Sequence, residues 1–67
     1  MNWTIFVRLP GSDLLYGPLR GLFNQSPANA ALDALKLACL PRGVLIKYVG
    51  QQLPADPRTA GYHVQTI

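Results

Sequence analysis

A small α+β domain, with one helix packed on one face of a mostly antiparallel sheet of three to four strands in the order β(β)αββ, is the fold class this sequence predicts. Three observations carry it. Residues 3–9 (WTIFVRL) and 44–49 (VLIKYV) are β-branched and aromatic runs bounded by glycine or proline, the composition of strands. Residues 26–40 (SPANAALDALKLACL) instead repeat apolar side chains at helical spacing behind a Ser-Pro start, as an amphipathic helix does. The terminal YHVQTI is a further stretch of strand-forming residues, which widens the sheet that the helix can cover.

In the first strand, Trp3, Ile5, Val7 and Leu9 fall on one face and Thr4, Phe6 and Arg8 on the other, because side chains alternate along extended backbone. Pro10 and Gly11 end it in PGSD, which is turn chemistry. Residues 14–24 (LLYGPLRGLFN) are apolar, but Gly17, Pro18 and Gly21 would break a helix. The expectation is an irregular return strand near 19–24, bulged at Gly21 and paired with the first strand; an apolar loop under the helix is the alternative.

Ser26 is placed to cap the helix by accepting from an otherwise unpaired N–H, and Pro27 suits the first helical position, where no donor is needed. The helix should run from about 27 to 40, until Pro41 and Gly43 stop it. Projected at about 100° per residue, Ala28, Ala31, Leu32, Leu35, Ala38 and Cys39 form one stripe, the expected core face. Cys39 then reads as a small buried hydrophobe. Asn29, Asp33 and Lys36 lie opposite, and Ala30, Ala34 and Leu37 form a second, narrower apolar strip, either a partner-contact surface or a by-product of helix propensity.

In the second strong strand, Val44, Ile46 and Tyr48 share one face and Leu45, Lys47 and Val49 the other. QQLPADPRTAG is a loop with two prolines. In the last strand Tyr62, Val64 and Thr66 alternate with His63, Gln65 and Ile67. Placing the helix over Trp3, Ile5, Val7, Ile46, Tyr48 and Val64 leaves Thr4, Phe6, Arg8, Leu45, Lys47, Val49, His63 and Gln65 on the opposite face, joined by Arg20 if the return strand forms.

Composition limits the function classes. Sixty-seven residues make a single domain, 1–67, and a chain of this size buries only about 60% of its unfolded surface. Such scaffolds usually add disulfides, a metal or oligomerisation. Cys39 is the one cysteine, so no disulfide closes within a monomer, and the scattered His63, Cys39 and three Asp have no metal-ligand spacing. Self-association, giving a homodimer, or a partner is the remaining route. A content of 49% hydrophobic and 13% charged residues argues against disorder. The N-terminal run is too short and lacks the basic leader of a signal sequence, and no stretch approaches the roughly 18 apolar residues of a membrane span. With a lone thiol, a cytoplasmic protein is expected, and the initial Met1 reads as the start of a complete gene product.

Chemistry is sparse. There is no Glu, and Asp13, Asp33 and Asp56 sit in a turn, on the helix and in a loop, so no convergent acid–base pair is evident. The glycines of LPGSDLLYGPLRG lack phosphate-binding spacing. Neither a catalytic residue nor a cofactor is expected. The net charge of +3 comes from dispersed cations, which permits an acidic protein surface or nucleic acid as partner. The reading is therefore a non-enzymatic protein-interaction module, a regulatory or inhibitory protein of the phage or mobile-element type that occupies a host protein. Its candidate partner-binding residues are Phe6, Arg8, Arg20, Leu45, Lys47 and Val49 on the helix-free face, or an edge strand, with Ala30, Ala34 and Leu37 as a second surface. The alternative is a nucleic-acid-binding module that uses Arg8, Lys47, Arg20 and Phe6, with Phe6 stacking a base.

Overall fold

Strand β1, Asn2–Arg8, is paired along both edges: with β2 (Leu15–Leu22) on one side and with β3 (Val44–Val49) on the other, both antiparallel. The computed structural model describes residues 2–22, 24–49, 56 and 63–67. Strand β4 (His63–Thr66) adds to β3, so the sheet order is β2-β1-β3-β4. Since β2 and β3 both run against β1, they are parallel to each other, and helix α1 (Pro27–Leu37) is the crossover between them. The protein is a small α+β fold with a four-stranded antiparallel sheet, as its sequence predicts. The expected loop over 51–61, apart from Asp56, and Tyr62 lie outside the described residues.

The start of α1 follows from two residues. Ser26 has extended backbone (φ −70°, ψ 119°) and its Oγ accepts from the Asn29 N–H at 3.4 Å, with Pro27 next. The helix ends earlier than expected, at Leu37. Cys39 takes the left-handed conformation, φ 56°. Its N–H donates to the Lys36 carbonyl at 3.2 Å, and the Leu40 N–H to the Leu35 carbonyl at 2.8 Å. This pair of bonds is a Schellman motif, and its left-handed position ordinarily goes to glycine. The turn carries Cys39 off the helical projection, so the thiol is exposed rather than buried, and Ala38 is exposed with it. Leu40, beyond the turn, folds back against the core.

The helix lies across β1, β2 and β3. Beneath it Trp3, Ile5, Val7 and Leu45 pack with Ala31 and Leu35 into one buried cluster, edged by Leu9, Tyr16, Leu19, Ala30, Leu40, Val49 and Ile67. Each large side chain there contributes about 1.5–3 kcal/mol on leaving water.

Two features of β2 depart from expectation. It begins at Leu15, and its irregularity falls opposite Phe6, between the Ile5–Leu19 and Val7–Tyr16 pairs, rather than at Gly21. Gly17 and Pro18 make this bulge, Gly17 with φ 135° and the bond between them cis. Proline is tolerated because β2 is an edge strand. Gly21 instead faces Trp3 in regular register. A Cβ there would overlap the indole ring at Cζ2, while the ring's Nε1 donates to the Gln25 carbonyl at 3.0 Å. The glycine is a seat for the tryptophan.

Replacing Gly21 by alanine should therefore cost about 1–3 kcal/mol through overpacking, read as a lower denaturation midpoint with a shifted emission from Trp3, the sole tryptophan. Cys39→Gly should raise the urea midpoint. The gain should be about 0.5–1 kcal/mol, the relief of left-handed strain less the extra freedom of glycine in the unfolded chain.

Candidate functional site

Directly opposed residues in an antiparallel pair point to the same side of the sheet, so register decides which side chains meet. Trp3 opposes Val49, Ile5 opposes Lys47, and Val7 opposes Leu45. These six share the helix side. Thr4 opposes Tyr48, Phe6 opposes Ile46, and Arg8 opposes Val44, and these share the helix-free side. From β2, Arg20 stands opposite Thr4 and Leu22 opposite Asn2; from β4, Val64 stands opposite Ile46 and Thr66 opposite Val44. The helix-free face thus carries Phe6, Arg8 and Arg20 together.

Strand β3 has the opposite phase to the one expected. Leu45 is buried in the core, Val49 packs against it, and Lys47 is half-buried on the helix side. Those three leave the candidate face, and Val44, Ile46 and Tyr48 take their place. The physical reason is that VLIKYV offers apolar residues in both phases, so alternation does not choose, and the pairing with β1 does. Gln65 likewise belongs to the helix side, while Val64 is on the free side.

The second candidate surface is largely absorbed. Ala30 packs against the core. Ala34 is half-buried, and its carbonyl accepts from the Tyr16 hydroxyl at 3.5 Å. Only Leu37, 88% exposed, remains open.

The helix-free face has a firm centre. Ile46 and Tyr48 are buried although the helix lies on the other side of the sheet. Phe6 and Tyr48, diagonal neighbours across β1 and β3, meet edge to face with centroids 6.3 Å apart and planes at 87°. Such a pair adds about 0.5–1.5 kcal/mol beyond its burial. Burial holds the Tyr48 phenol above its ordinary pKa, and the negative charge of Asp56 pushes the same way. Around this centre stand exposed Arg8, Arg20 and Thr66, with Leu22 and Val64 61% and 60% exposed. Arg8 and Arg20 are about four residues apart along β1, or roughly 13 Å. Beside Arg20, an open groove of about 540 Å³ runs over Asn2, Thr4, Leu22 and Gln25, a lining able to donate and accept hydrogen bonds.

Sequence reasoning placed Tyr48 and Val64 under the helix and left Leu22 aside. The signal that could have found Tyr48 was the aromatic pairing with Phe6, since cross-strand neighbours of this kind stabilise one register over another. Among the described residues no group of three or more His, Cys, Asp or Glu is placed to hold a metal ion, and no helix is long and apolar enough to cross a membrane.

Fold and surface define the class: a small α+β domain whose helix-free face combines aromatic, aliphatic and arginine side chains. No protein-family model, curated protein or solved structure matches the chain.

The Tyr48 environment makes a pH prediction. The folded state holds this proton more tightly than the unfolded chain, so stability is unaffected by it below the unfolded phenol pKa of about 10 and falls as pH rises through the folded value. Difference titration at the phenolate absorbance, wild type against Tyr48→Phe, should show a phenol ionising above the ordinary range. Asp56→Asn should bring it partly back, leaving the shift due to burial.

Proposed function

We propose that this protein is a non-enzymatic protein-interaction module, a small regulatory or inhibitory protein of the phage or mobile-element type that binds a host protein through its helix-free sheet face. One observation carries the reading: Phe6, Arg8 and Arg20 share that face with the exposed side chains of Leu22 and Val64. Protein interfaces are enriched in aromatic residues and arginine and depleted in lysine at their cores, and here the lysine has gone to the other side. The edge-to-face contact of half-buried Phe6 with buried Tyr48 stiffens the surface, which lowers the ordering cost of binding.

The face is favoured over the sheet edges. Strand β2 carries a proline and a bulge, and β4 has four residues; both are features that discourage strand addition. The non-enzymatic part rests on composition, with no Glu and the three Asp dispersed over a turn, the helix and the β3–β4 connection. A homodimer would use the same surface through a two-fold axis, in a cytoplasmic setting suited to the free thiol.

Nucleic-acid binding is the second reading, favoured by the placement of both arginines on the side of Phe6. Losing Lys47 from that side removes one of its phosphate contacts.

Affinity capture from the producing cells should recover a protein with wild-type and Leu37→Glu baits. The Arg8→Glu/Arg20→Glu bait should recover at least about tenfold less, as expected when charge-assisted contacts are lost. Equal recovery by the double variant would overturn the reading. Anisotropy of a labelled single-stranded oligonucleotide decides the alternative, since binding that weakens steeply with salt would mark phosphate contacts. Light scattering over a concentration series reports whether the face is spent on a second copy.

A further inference from the structure

The end of the sheet carries a second basic feature, distinct from the centre of the helix-free face. A recess of about 330 Å³ opens where β1 ends and β3 begins, and Arg8, Arg42, Ser12, Leu9, Pro10 and Val44 are among the residues that line it. Both arginines are exposed. Among the described residues no acidic side chain lines the recess, whose far wall is made by Thr66 and Ile67 at the end of β4. Among the described residues neither guanidinium has a hydrogen-bond or ion-pair partner, although Arg42 also borders the cleft beside Asp33 on the helix. The Ser12 Oγ accepts from the Leu14 N–H at 3.0 Å, which leaves its own proton free to donate.

We infer that this recess receives a carboxylate side chain, an aspartate or glutamate of the partner protein. The inference rests on the protein-interaction reading and names the chemistry of the contact. A guanidinium presents planar, parallel donors that match the geometry of a carboxylate. The apolar walls select what carries the anion. A carboxylate arrives on a methylene stem that Leu9, Pro10 and Val44 can cover, whereas a phosphodiester brings a polar backbone on both sides. The volume of the recess lies at the small end of the range for ligand pockets. Arg42 lies outside the helix-free face as sequence reasoning drew it, so the recess extends that face around the sheet end toward the α1–β3 connection.

The test is an amide chemical-shift titration of the full chain with three probes: a blocked tripeptide with a central glutamate, its glutamine counterpart, and inorganic phosphate. The glutamate peptide should saturate shifts at the amides of Gly11, Ser12, Gly43 and Val44. The glutamine peptide should bind at least about tenfold more weakly, and Arg42→Gln or Arg8→Gln should cost a similar factor. Arg20→Gln, about 13 Å along the sheet from Arg8, should leave the titration unchanged. Preserved peak dispersion in each variant shows that it remains folded. Equal binding of the two peptides, or no localised shifts with either, overturns the assignment; phosphate binding as tightly as the glutamate peptide overturns it in favour of a phosphate site. The two readings fail separately. Capture by wild type that survives Arg42→Gln, with no peptide binding, sinks the recess alone. Peptide binding without face-dependent capture sinks the interaction reading and keeps the recess.

Discussion

The register between β1 and β3 is the constraint on which the rest of this structure depends. With Trp3 set opposite Val49 and Val7 opposite Leu45, two apolar pairs flank Ile5 on the side of the helix, and the helix has a surface to close. A slip of one residue would send Leu45 and Val49 to the far side and bring Ile46 and Tyr48 under the helix. The hydrophobic total would hardly change. What would change is the fit, because the Phe6–Tyr48 edge contact and the packing of Leu45 with Val7, Ala31 and Leu35 both belong to the observed phase.

Strand β1 works on both of its faces, and this is how so short a chain accommodates so much apolar sequence. Trp3, Ile5 and Val7 close the core beneath α1, while Phe6 on the other side shelters with Tyr48 beside buried Ile46. Much of the apparent surplus of hydrophobic residues is therefore spent inside the fold. Leu14, Leu22, Leu37 and Val64 stay exposed, and of these Leu22 and Val64 share the side of the sheet that holds the arginines. The helix strip Ala30–Ala34–Leu37 loses its case as an independent surface, because Ala30 and Ala34 are partly covered by the sheet they rest on.

The candidate face was only half legible in the sequence. Phe6, Arg8 and Arg20 share one face of the sheet because β1 has a single apolar phase and Arg20 follows it through the hairpin. Leu45, Lys47 and Val49 were misplaced because β3 has two. Arg42 sits in a connection, with no periodicity to point it anywhere, and only the meeting of three chain segments at the sheet end brings it to the recess that Arg8 also lines. Cys39 shows the same limit at shorter range. A helical projection holds only while the helix lasts, and the Schellman turn ended it two residues before the thiol.

By itself, then, the sequence determined the elements and their order: a strand where β-branched and aromatic residues cluster, a helix start where Ser26 precedes Pro27, and a helix stop ahead of Pro41. These are local choices, governed by backbone sterics, capping and spacing within a few residues. Only the tertiary structure decided the phase of β3, the seat of Trp3 on Gly21, and the gathering of Arg8 with Arg42. Each of these depends on residues distant in the chain competing for the same space, and a one-dimensional pattern with two equally apolar phases holds no term that could settle such a competition.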